Sequence, residues 1–327
     1  MAMMTTATSG LTPEYQTFYD KQLLSYAQPQ IVTAQFAQKK PFPRNKGATT
    51  IRYFRPIAPD RSRVASLLEG VPLANFQEIV YTPIDVTLAQ YGEAVKISDI
   101  VSFTDLFNTL DQGTRMMGED AGVYADFAVV TQVCNTVTGV NSANRRYAQG
   151  LANFAAVVAA APAAAKLVIK DLLGAYTRLT ITKAKKPEGR EYATVITPEQ
   201  AYDVMDDAKF IDAGIRGNNN GLFSGEIGRW YGNRILVTTE GWKESAVEGT
   251  YDPAGTIYSA MVFGREAVGA PIMAGQSPFS PSVIVNDKAD SGNPIKQFIT
   301  AGWKAYWATV MLNDLWALVI RSKSTYV

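Results

Sequence analysis

The chain has 327 residues, of which 47% are hydrophobic, and a formal net charge of +1 from 31 basic and 30 acidic side chains. A near-neutral chain argues against a dedicated nucleic-acid binder, which would carry a basic surplus. There is no histidine, and Cys134 is the single cysteine, so histidine-based catalysis, internal disulfides and cysteine-based zinc sites are excluded. The hydrophobic content is ample for a core and for more than one lobe.

Residues 1–48 predict an extended arm, with a short helix near 13–26. The stretch KKPFPRNKG (39–47) interrupts any helix, because its two prolines lack an amide hydrogen. The N-terminus has neither the basic nor the apolar region of a signal peptide. The most apolar run, FAAVVAAAPAAA at 154–165, is too short to span a membrane. These features predict a soluble intracellular protein whose arm needs a partner surface to become ordered.

Two alternating segments predict the strands of a long, protruding β-hairpin. TTIRYFRP (49–56) and IDVTLAQY (84–91) both have the period of two that is typical of strands. A lone hairpin of this length is not stable in water, so we expect it to lie on another surface. Its charges have both signs, which favours salt bridges to protein over contacts with phosphate. The charged residues are Arg52, Arg55, Asp60, Arg61, Arg63, Glu69 and Asp85.

A long helix is predicted after the hairpin, over residues 104–138. SFTD (102–105) has the form of a capping box, and apolar residues then recur at helical spacing. Gly139 is interpreted as the C-cap, which gives a helix of roughly 50 Å. Gly92, in the strand before the helix, is interpreted as a point where the strand can bend or bulge.

The rest of the chain predicts a mixed α/β region followed by strands. Within 168–280, YATVI and NRILVTTE indicate strands, TPEQAYDVMDD a helix, and GNNNGLFSGEIG (217–228) a loop. The segment 302–323 alternates again and contains a turn at Asn313-Asp314. Both of its faces are apolar, which predicts a sheet that is packed on both sides, with the long helix on one of them.

The common catalytic motifs are missing from the sequence. It contains no GxxxxGKS or GxxxxGKT phosphate loop, no dinucleotide-binding GxGxxG and no GxSxG nucleophile motif. One acidic group could hold a metal or perform acid/base chemistry, but a solvated helix face is the favoured interpretation, because charge runs usually lie on the surface. That group is Asp203, Asp206, Asp207 and Asp212. Cys134 is interpreted as a small buried apolar residue.

The order of the elements and three short motifs resemble a known family. The motifs are LLEGVPL (67–73), TLAQYGEAVKISD (87–99) and ITAGWKAYWATVMLND (299–314). They are similar to motifs of the major capsid family of phage N4 and its relatives, which are tailed bacteriophages with capsid proteins of the Hong Kong 97-type fold. The resemblance runs in order from about residue 45 to about residue 320.

The resemblance implies an α+β fold in four parts. They are an N-terminal arm (1–48), an extended β-hairpin loop (49–101), a peripheral domain with a long spine helix (102–164 and 281–327) and an α/β axial domain (165–280).

The resemblance also implies roles for particular residues. The extended loop would contact a neighbouring subunit through Arg52, Arg55, Arg61, Arg63 and Glu69. Gly92, Ser102 and Asp105 would form the joint between the hairpin and the spine helix. Asn218, Asn219 and Asn220 would lie in a loop at the centre of the capsomer.

The function implied by the resemblance is structural. Such subunits assemble with copies of themselves, as pentamers and hexamers, into an icosahedral head that encloses double-stranded DNA. The expected further partners are a separate scaffolding protein, a portal and a decoration protein. No cofactor, metal, membrane or enzymatic activity is expected. The protein would be assembled in the bacterial cytoplasm and would reside in the virion capsid.

Some shells of this fold are crosslinked through a lysine of the extended loop. Residues 49–91 contain no lysine and Lys96 lies at the base of the hairpin, so we expect non-covalent stabilisation.

Other functions remain open on the sequence. An encapsulin-like compartment would share the fold but hold enzyme cargo in place of a genome. A tail or portal component would form tubes or rings, and an enzyme would depend on the acidic group at 203–212.

Overall fold

The computed structural model describes residues 32–42, 50–57, 76–104, 109–187, 191–207, 226–230, 232–273, 282–286, 292–295 and 297–326, together with isolated positions between 60 and 70. Short 3-10 turns cover Ala34–Phe36, Ser142–Asn144, Ala148–Gly150 and Pro162–Ala164. The helices are α1 (Asp99–Thr104), α2 (Thr109–Cys134), α3 (Phe154–Ala159), α4 (Ile169–Ile181) and α5 (Pro198–Met205). The strands are β1 (Gln38–Phe42), β2 (Thr50–Pro56), β3 (Tyr81–Thr87), β4 (Ala89–Ser98), β5 (Arg145–Tyr147), β6 (Tyr192–Ile196), β7 (Glu226–Trp230), β8 (Asn233–Val237), β9 (Lys243–Glu244), β10 (Ile257–Phe263), β11 (Val268–Met273), β12 (Ser282–Asn286), β13 (Phe298–Trp307), β14 (Val310–Met311) and β15 (Ala317–Ser322).

The largest sheet has seven strands in the order β5-β15-β10-β6-β8-β7, with β9 paired to β10. Its central strands are buried on both faces, because alternate residues enter two different cores. In β10, Met261 and Phe263 join the core around α2, whereas Ala260 and Val262 join the core around α4 and α5. The prediction of a sheet that is packed on both sides, with the long helix on one of them, is confirmed for β15. Strands β13 and β14, which belong to the same predicted segment, lie in two other sheets.

A second, three-stranded sheet has the order β12-β13-β4 and packs on α2. Strand β13 pairs antiparallel with β4 along its full length of 10 residues, from Phe298 opposite Ser98 to Trp307 opposite Ala89. Trp303 and Trp307 are buried in the core around α2, as the alternation predicts.

The long helix is shorter than predicted, and a short helix, α1, precedes it in the chain. Helix α1 begins at Asp99, directly after the last paired residue of β4, and the Oγ of Ser98 accepts a hydrogen bond from the N–H of Val101 at 3.3 Å. The predicted capping box is therefore misplaced, since Ser102 lies within α1 and Asp105 lies outside the described residues. Helix α2 has 26 residues, a length of roughly 39 Å.

The end of the long helix also differs from the prediction. Helix α2 ends at Cys134, and Gly139 belongs to a turn that follows it. The N–H of Gly139 donates to the carbonyl of Asn135 at 2.8 Å, and a Cβ at Gly139 would come within 2.2 Å of that same oxygen. The glycine is required there by close packing of the turn and does not cap the helix.

The remaining strands form two small sheets. Strand β1, from the predicted arm, runs parallel to β11, which also pairs with β14. Strands β2 and β3 form the predicted hairpin, with Thr50 opposite Thr87 and Pro56 opposite Tyr81. Strands β14 and β15 are joined by the predicted turn, in which the N–H of Trp316 donates to the carbonyl of Asn313 at 3.1 Å.

Candidate assembly surfaces

The base of the hairpin is anchored on its own subunit. Ile51, Tyr53 and Val86 point to one face of the two strands, and each is buried against Leu312. Burial raises the pKa of Tyr53 to about 12. Arg55 points to the same face, where its guanidinium donates to the carbonyl of Leu312 at 3.3 Å. The hairpin is therefore attached to the segment that joins β13 to β15.

Arg55 makes two further contacts with this segment. Its Nη1 lies 3.4 Å from the Oδ1 of Asn313 and 3.7 Å from the nearest carboxylate oxygen of Asp314. The ion pair with Asp314 is partly exposed, so its contribution is small and the hydrogen bond to the backbone of Leu312 is the more specific contact.

The outer face and the far part of the hairpin expose apolar side chains. Phe76 is 79% exposed and Phe54 is 61% exposed, although Phe54 has an edge-to-face contact with Tyr81. Several exposed apolar side chains on one hairpin indicate an interaction site, because a soluble monomer rarely leaves much apolar surface uncovered. The exposed apolar residues are Phe54, Ile57, Val64, Phe76, Ile79, Val80 and Tyr81, and we call them the hairpin patch.

The charged residues predicted for the hairpin occupy different environments. Arg52 pairs with Asp85 on the neighbouring strand through two bonds of 2.6 and 2.8 Å, and both side chains are exposed. The bonds to Arg52 hold the pKa of Asp85 below its ordinary value. Glu69 is exposed in a turn with Gly70, whereas Arg61 and Arg63 lie outside the described residues. Their role in contacts between subunits stays a prediction.

Asp126 on α2 holds the N-terminal arm. Its carboxylate is fully buried and accepts hydrogen bonds from the backbone N–H groups of Val32, Thr33 and Ala34, at 2.8 to 3.1 Å. Burial raises the pKa of Asp126, and the three backbone donors oppose that rise. The acceptor satisfies the free amides at the start of a 3-10 turn, as an N-cap residue does. The segment after this turn continues into β1.

Gly92 is required by the close approach of two strands. A Cβ at this position would lie 2.5 Å from the carbonyl oxygen of Trp303 on β13. The pairing of β4 with β13 continues through Gly92 and Lys304 without a shift in register, so the bulge considered for this glycine is not present. The assignment of Gly92, Ser102 and Asp105 to a joint stays a prediction.

A buried ionic network connects the end of α2 with the seven-stranded sheet. Arg321 on β15 and Glu244 on β9 are both fully buried, and the guanidinium donates to the two carboxylate oxygens at 2.8 and 3.1 Å. Arg321 also donates to the carbonyl of Cys134 at 3.0 Å and pairs with Glu248 at 3.1 Å. Burial alone would lower the pKa of Arg321, but Glu244 raises it above its ordinary value.

The sequence analysis did not single out Asp126, Glu244 or Arg321. For two of them the signal was available: Asp126 interrupts the apolar stretch GVYADFAVV, and Arg321 interrupts ALVIRS. A lone charge inside an apolar run is usually buried together with a partner.

The acidic group at and after α5 is only in part the solvated face that was predicted, since Asp206 is exposed but Asp203 is not. Asp203 is fully buried and accepts hydrogen bonds from the backbone N–H and the hydroxyl of Thr325, near the C-terminal end. Asp206 lies 3.8 Å from the ammonium of Lys166, and Asp207 accepts from the N–H of Ile169 at 3.4 Å. These carboxylates connect segments of the chain. Asp212 lies outside the described residues, as do Asn218, Asn219 and Asn220.

The described part of the chain contains neither a metal-binding cluster nor a membrane-spanning helix. Within it, no group of three or more potential ligands is placed to hold a metal ion. No helix in those ranges has the length and the apolar content needed to cross a membrane. Cys134 is buried, as predicted, and burial raises the pKa of its thiol to about 12.

The fold is similar to that of several solved capsids. The capsid of Ralstonia phage GP4 matches with a TM-score of 0.62 and 14% identity, over 90% of this chain and 88% of that one. The capsid of the cyanophage P-SCSP1u also matches with a TM-score of 0.62 and 14% identity, over 99% and 93%. The chain has the Hong Kong 97-type fold.

The same fold is found in a protein compartment of another kind. The SrpI encapsulin complex from Synechococcus elongatus matches with a TM-score of 0.56 and 12% identity, over 100% of this chain and 94% of that one. No protein-family profile matches the chain. No curated protein matches its sequence either.

Proposed function

We propose that the chain is the major capsid protein of a tailed bacteriophage and that it assembles, as pentamers and hexamers, into an icosahedral shell around double-stranded DNA. The observation that carries the proposal is the similarity in fold to phage capsids over nearly the whole chain. Identities of 14% support the fold alone, so the hairpin patch supplies the independent physical support. In a shell, repeated contacts between subunits cover such apolar surface and make assembly cooperative.

We assign the hairpin of β2 and β3 to the extended loop and α2 to the spine helix. Because Arg55 and the buried face of β2 hold the base of the loop on its own subunit, the far part of the loop is free to cover a neighbour. Glu69 lies in that far part, and so do the predicted contacts of Arg61 and Arg63. The ion pair of Arg52 with Asp85 stiffens the hairpin. Because its guanidinium already has this partner, Arg52 is less suited to an ion pair with a neighbouring subunit.

The domain boundaries of the sequence analysis are retained as part of the proposal, with residues 165–280 as the axial domain and 102–164 and 281–327 as the peripheral domain. Asn218, Asn219 and Asn220 are retained as a loop at the capsomer centre. A separate scaffolding protein, a portal and a decoration protein are the expected partners. Assembly would take place in the bacterial cytoplasm, the shell would belong to the virion, and the role would be structural and not enzymatic.

Electron microscopy of the purified full-length chain tests the proposal. Closed icosahedral shells are the expected result, and rings or tubes would favour a tail or portal component instead. A stable monomer that forms no particles at any concentration would overturn the proposal.

An encapsulin-like compartment is the second candidate, and the similarity to the SrpI encapsulin favours it. The contents of particles isolated from the native source separate the two functions. Nuclease-protected DNA of genome length supports the capsid, whereas shells filled with one enzyme and free of DNA support the compartment.

A further inference from the structure

An open groove lies between the segment 145–150 and helix α4, away from the hairpin and the arm. It contains a cavity of about 410 Å³, lined among others by Tyr147 and Ile320, and a second of about 390 Å³ adjoins it. Both cavities share Arg146, Lys170 and Gly174, so they form one continuous depression along the helix. No contact described above uses this surface.

The charge of the groove is positive. Arg146 and Lys170 are exposed along it, and Arg178 lies further along the same helix. Arg178 is oriented by a bond of 3.1 Å from its Nε to the Oδ1 of Asn144, which leaves its other donors available. These three cations face a single carboxylate of the lining, that of Asp171.

The carboxylate of Asp171 is already occupied. It accepts hydrogen bonds from the backbone N–H groups of Gln149 at 3.1 Å and of Val168 at 3.3 Å, so it is turned towards the backbone at the start of α4. The lining therefore has three cations against this one carboxylate, and its net charge is positive.

The shape and polarity of the groove suit a peptide. A Cβ added at Gly174 or at Gly150 would meet no atom within 4 Å, which leaves space over the middle of the groove. Leu173 and Ile181 are exposed beside it, and Ile181 is 66% exposed. Apolar residues next to a row of cations fit side chains that are alternately apolar and acidic, whereas a nucleic acid would gain nothing from the apolar part.

We propose that this groove binds an acidic, extended peptide segment of another protein, with an apolar side chain of that segment placed over Gly174. The cations would form charge-assisted hydrogen bonds with the carboxylates of the peptide, bidentate ones in the case of arginine. The inference concerns a partner other than a second copy of this chain and does not depend on shell formation.

Fluorescence anisotropy tests the proposal on the full-length chain, in the assembled state in which it is purified. The probe is a short fluorescein-labelled peptide in which glutamate and leucine alternate. We expect saturable binding that weakens as salt is added. Exchange of every glutamate for glutamine, or of every leucine for serine, should weaken binding by about tenfold or more.

Matched variants locate the binding on the protein. Arg146→Glu together with Lys170→Glu removes the charge, and Gly174→Gln fills the space without touching the core, so each should weaken binding by about tenfold. Arg265→Glu is the control, because Arg265 is exposed in the turn between β10 and β11 and does not line the groove. Shells or subunits of each variant must have the same hydrodynamic size as the parent.

Several results would overturn the proposal. They are the absence of saturable binding, equal weakening by Arg265→Glu, and a short duplex DNA that displaces the peptide and binds more tightly. If the groove variants abolish shell formation, while the peptide neither binds to shells nor inhibits their assembly, the groove is a contact between copies of this chain and the proposal is wrong.

Discussion

The buried ionic network between α2 and the seven-stranded sheet contrasts with the outer part of the hairpin. Each departs from the usual distribution of polar and apolar residues, but in opposite ways. In the buried ionic network, Arg321 and Glu244 are charged and fully buried. On the hairpin, Phe54 and Phe76 are aromatic and exposed. A buried ion pair must be complete within one folded subunit, since an unpaired charge inside the protein is very costly. Exposed apolar side chains, in contrast, can be covered by another subunit after the chain has folded. The comparison separates the part of the molecule that must fold alone from the part that we propose for assembly.

The largest effect on the free energy of unfolding is expected in the buried ionic network. Arg321→Met should lower the free energy of unfolding by about 3–5 kcal/mol, because it leaves the carboxylate of Glu244 buried without its cationic partner. Chemical denaturation followed by tryptophan fluorescence measures this change. The control is the double variant Arg321→Met with Glu244→Gln, which removes both charges, keeps an acceptor for the N–H groups of Trp242 and Gly249, and should recover most of the loss. If the single variant is as stable as the parent, the network does not have the importance given to it here.

Asp126 extends the comparison to the arm. Asp126→Asn should destabilise the chain by about 1–3 kcal/mol, because an amide cannot accept the three backbone N–H groups as a carboxylate does. Limited proteolysis at residues 32–37 should become faster at the same time. An unchanged proteolysis rate would mean that other contacts hold the arm in place.

The pH dependence of stability should differ in sign between Asp126 and Asp85. Burial raises the pKa of Asp126, so its contribution to stability is present below the ordinary carboxyl pKa and is lost as pH rises through the raised value. Arg52 lowers the pKa of Asp85, so that contribution is present above the ordinary pKa and is lost as pH falls. Urea unfolding midpoints measured across acidic pH for Asp126→Asn and Asp85→Asn check the two signs. Equal slopes would contradict this assignment.

Two glycines provide a matched pair of smaller effects. Gly92→Ala should destabilise by about 1–3 kcal/mol, since the new Cβ overlaps the backbone of Trp303. Gly174→Ala should stabilise by about 0.4–1 kcal/mol, because the space above it is open and alanine favours the helix. Thermal unfolding of both variants tests this difference, and a stable Gly92→Ala variant would mean that β4 and β13 can separate at no cost.

Changes on the hairpin should leave subunit stability almost unaffected. Phe76→Asp and Glu69→Ala are each expected to change the free energy of unfolding by less than about 0.5 kcal/mol, yet to reduce shell yield in sedimentation. Val137→Asp is the control, because Val137 is 88% exposed but lies beyond the end of α2. Damage to the folded monomer in either hairpin variant would refute the assignment of the hairpin to assembly. Arg55→Ala is a mixed case, because Arg55 also contacts its own subunit.

The last prediction is that no covalent crosslinks form between subunits. Denaturing electrophoresis of intact particles without reducing agent should show a single monomer band, since residues 49–91 contain no lysine. Lys96 lies over the ring of Phe298 at 3.6 Å, on the base of the hairpin and away from its tip. A ladder of linked subunits would refute non-covalent stabilisation.

The sequence predicted those elements that depend on residues close together in the chain. The alternation in 49–56 and 84–91 predicted the two strands of the hairpin, and the alternation in 302–323 predicted strands with two apolar faces. The start of the helical region was misplaced because the pairing of β4 with the distant β13 ends at Ser98 and α1 begins at the next residue, before the predicted capping box. The residue-by-residue pairing of β4 with β13 cannot be inferred from the sequence around Ser98 alone.

The burial of charged groups escaped prediction for a related reason. Asp203 looks like part of a surface run, and its burial depends on Thr325, more than a hundred residues away along the chain. Partners so distant can be identified only after folding has brought them together. Of the residues predicted for the subunit contacts, the structure explains Arg52 and Arg55 as contacts within one subunit, and Glu69 remains the clearest candidate for a neighbour.

The ladder between β4 and β13 has a mechanical consequence. Strand β4 connects the hairpin to α1, so any pull that a neighbour exerts on the hairpin enters the subunit along this strand. The hydrogen bonds of an antiparallel ladder lie perpendicular to the strands, and tension along β4 loads them together and not one after another. Force would therefore pass sideways into β13 before it reached the short helix α1. In the proposed shell, the pairing of β4 with β13 would resist shear and protect the helical turn that follows.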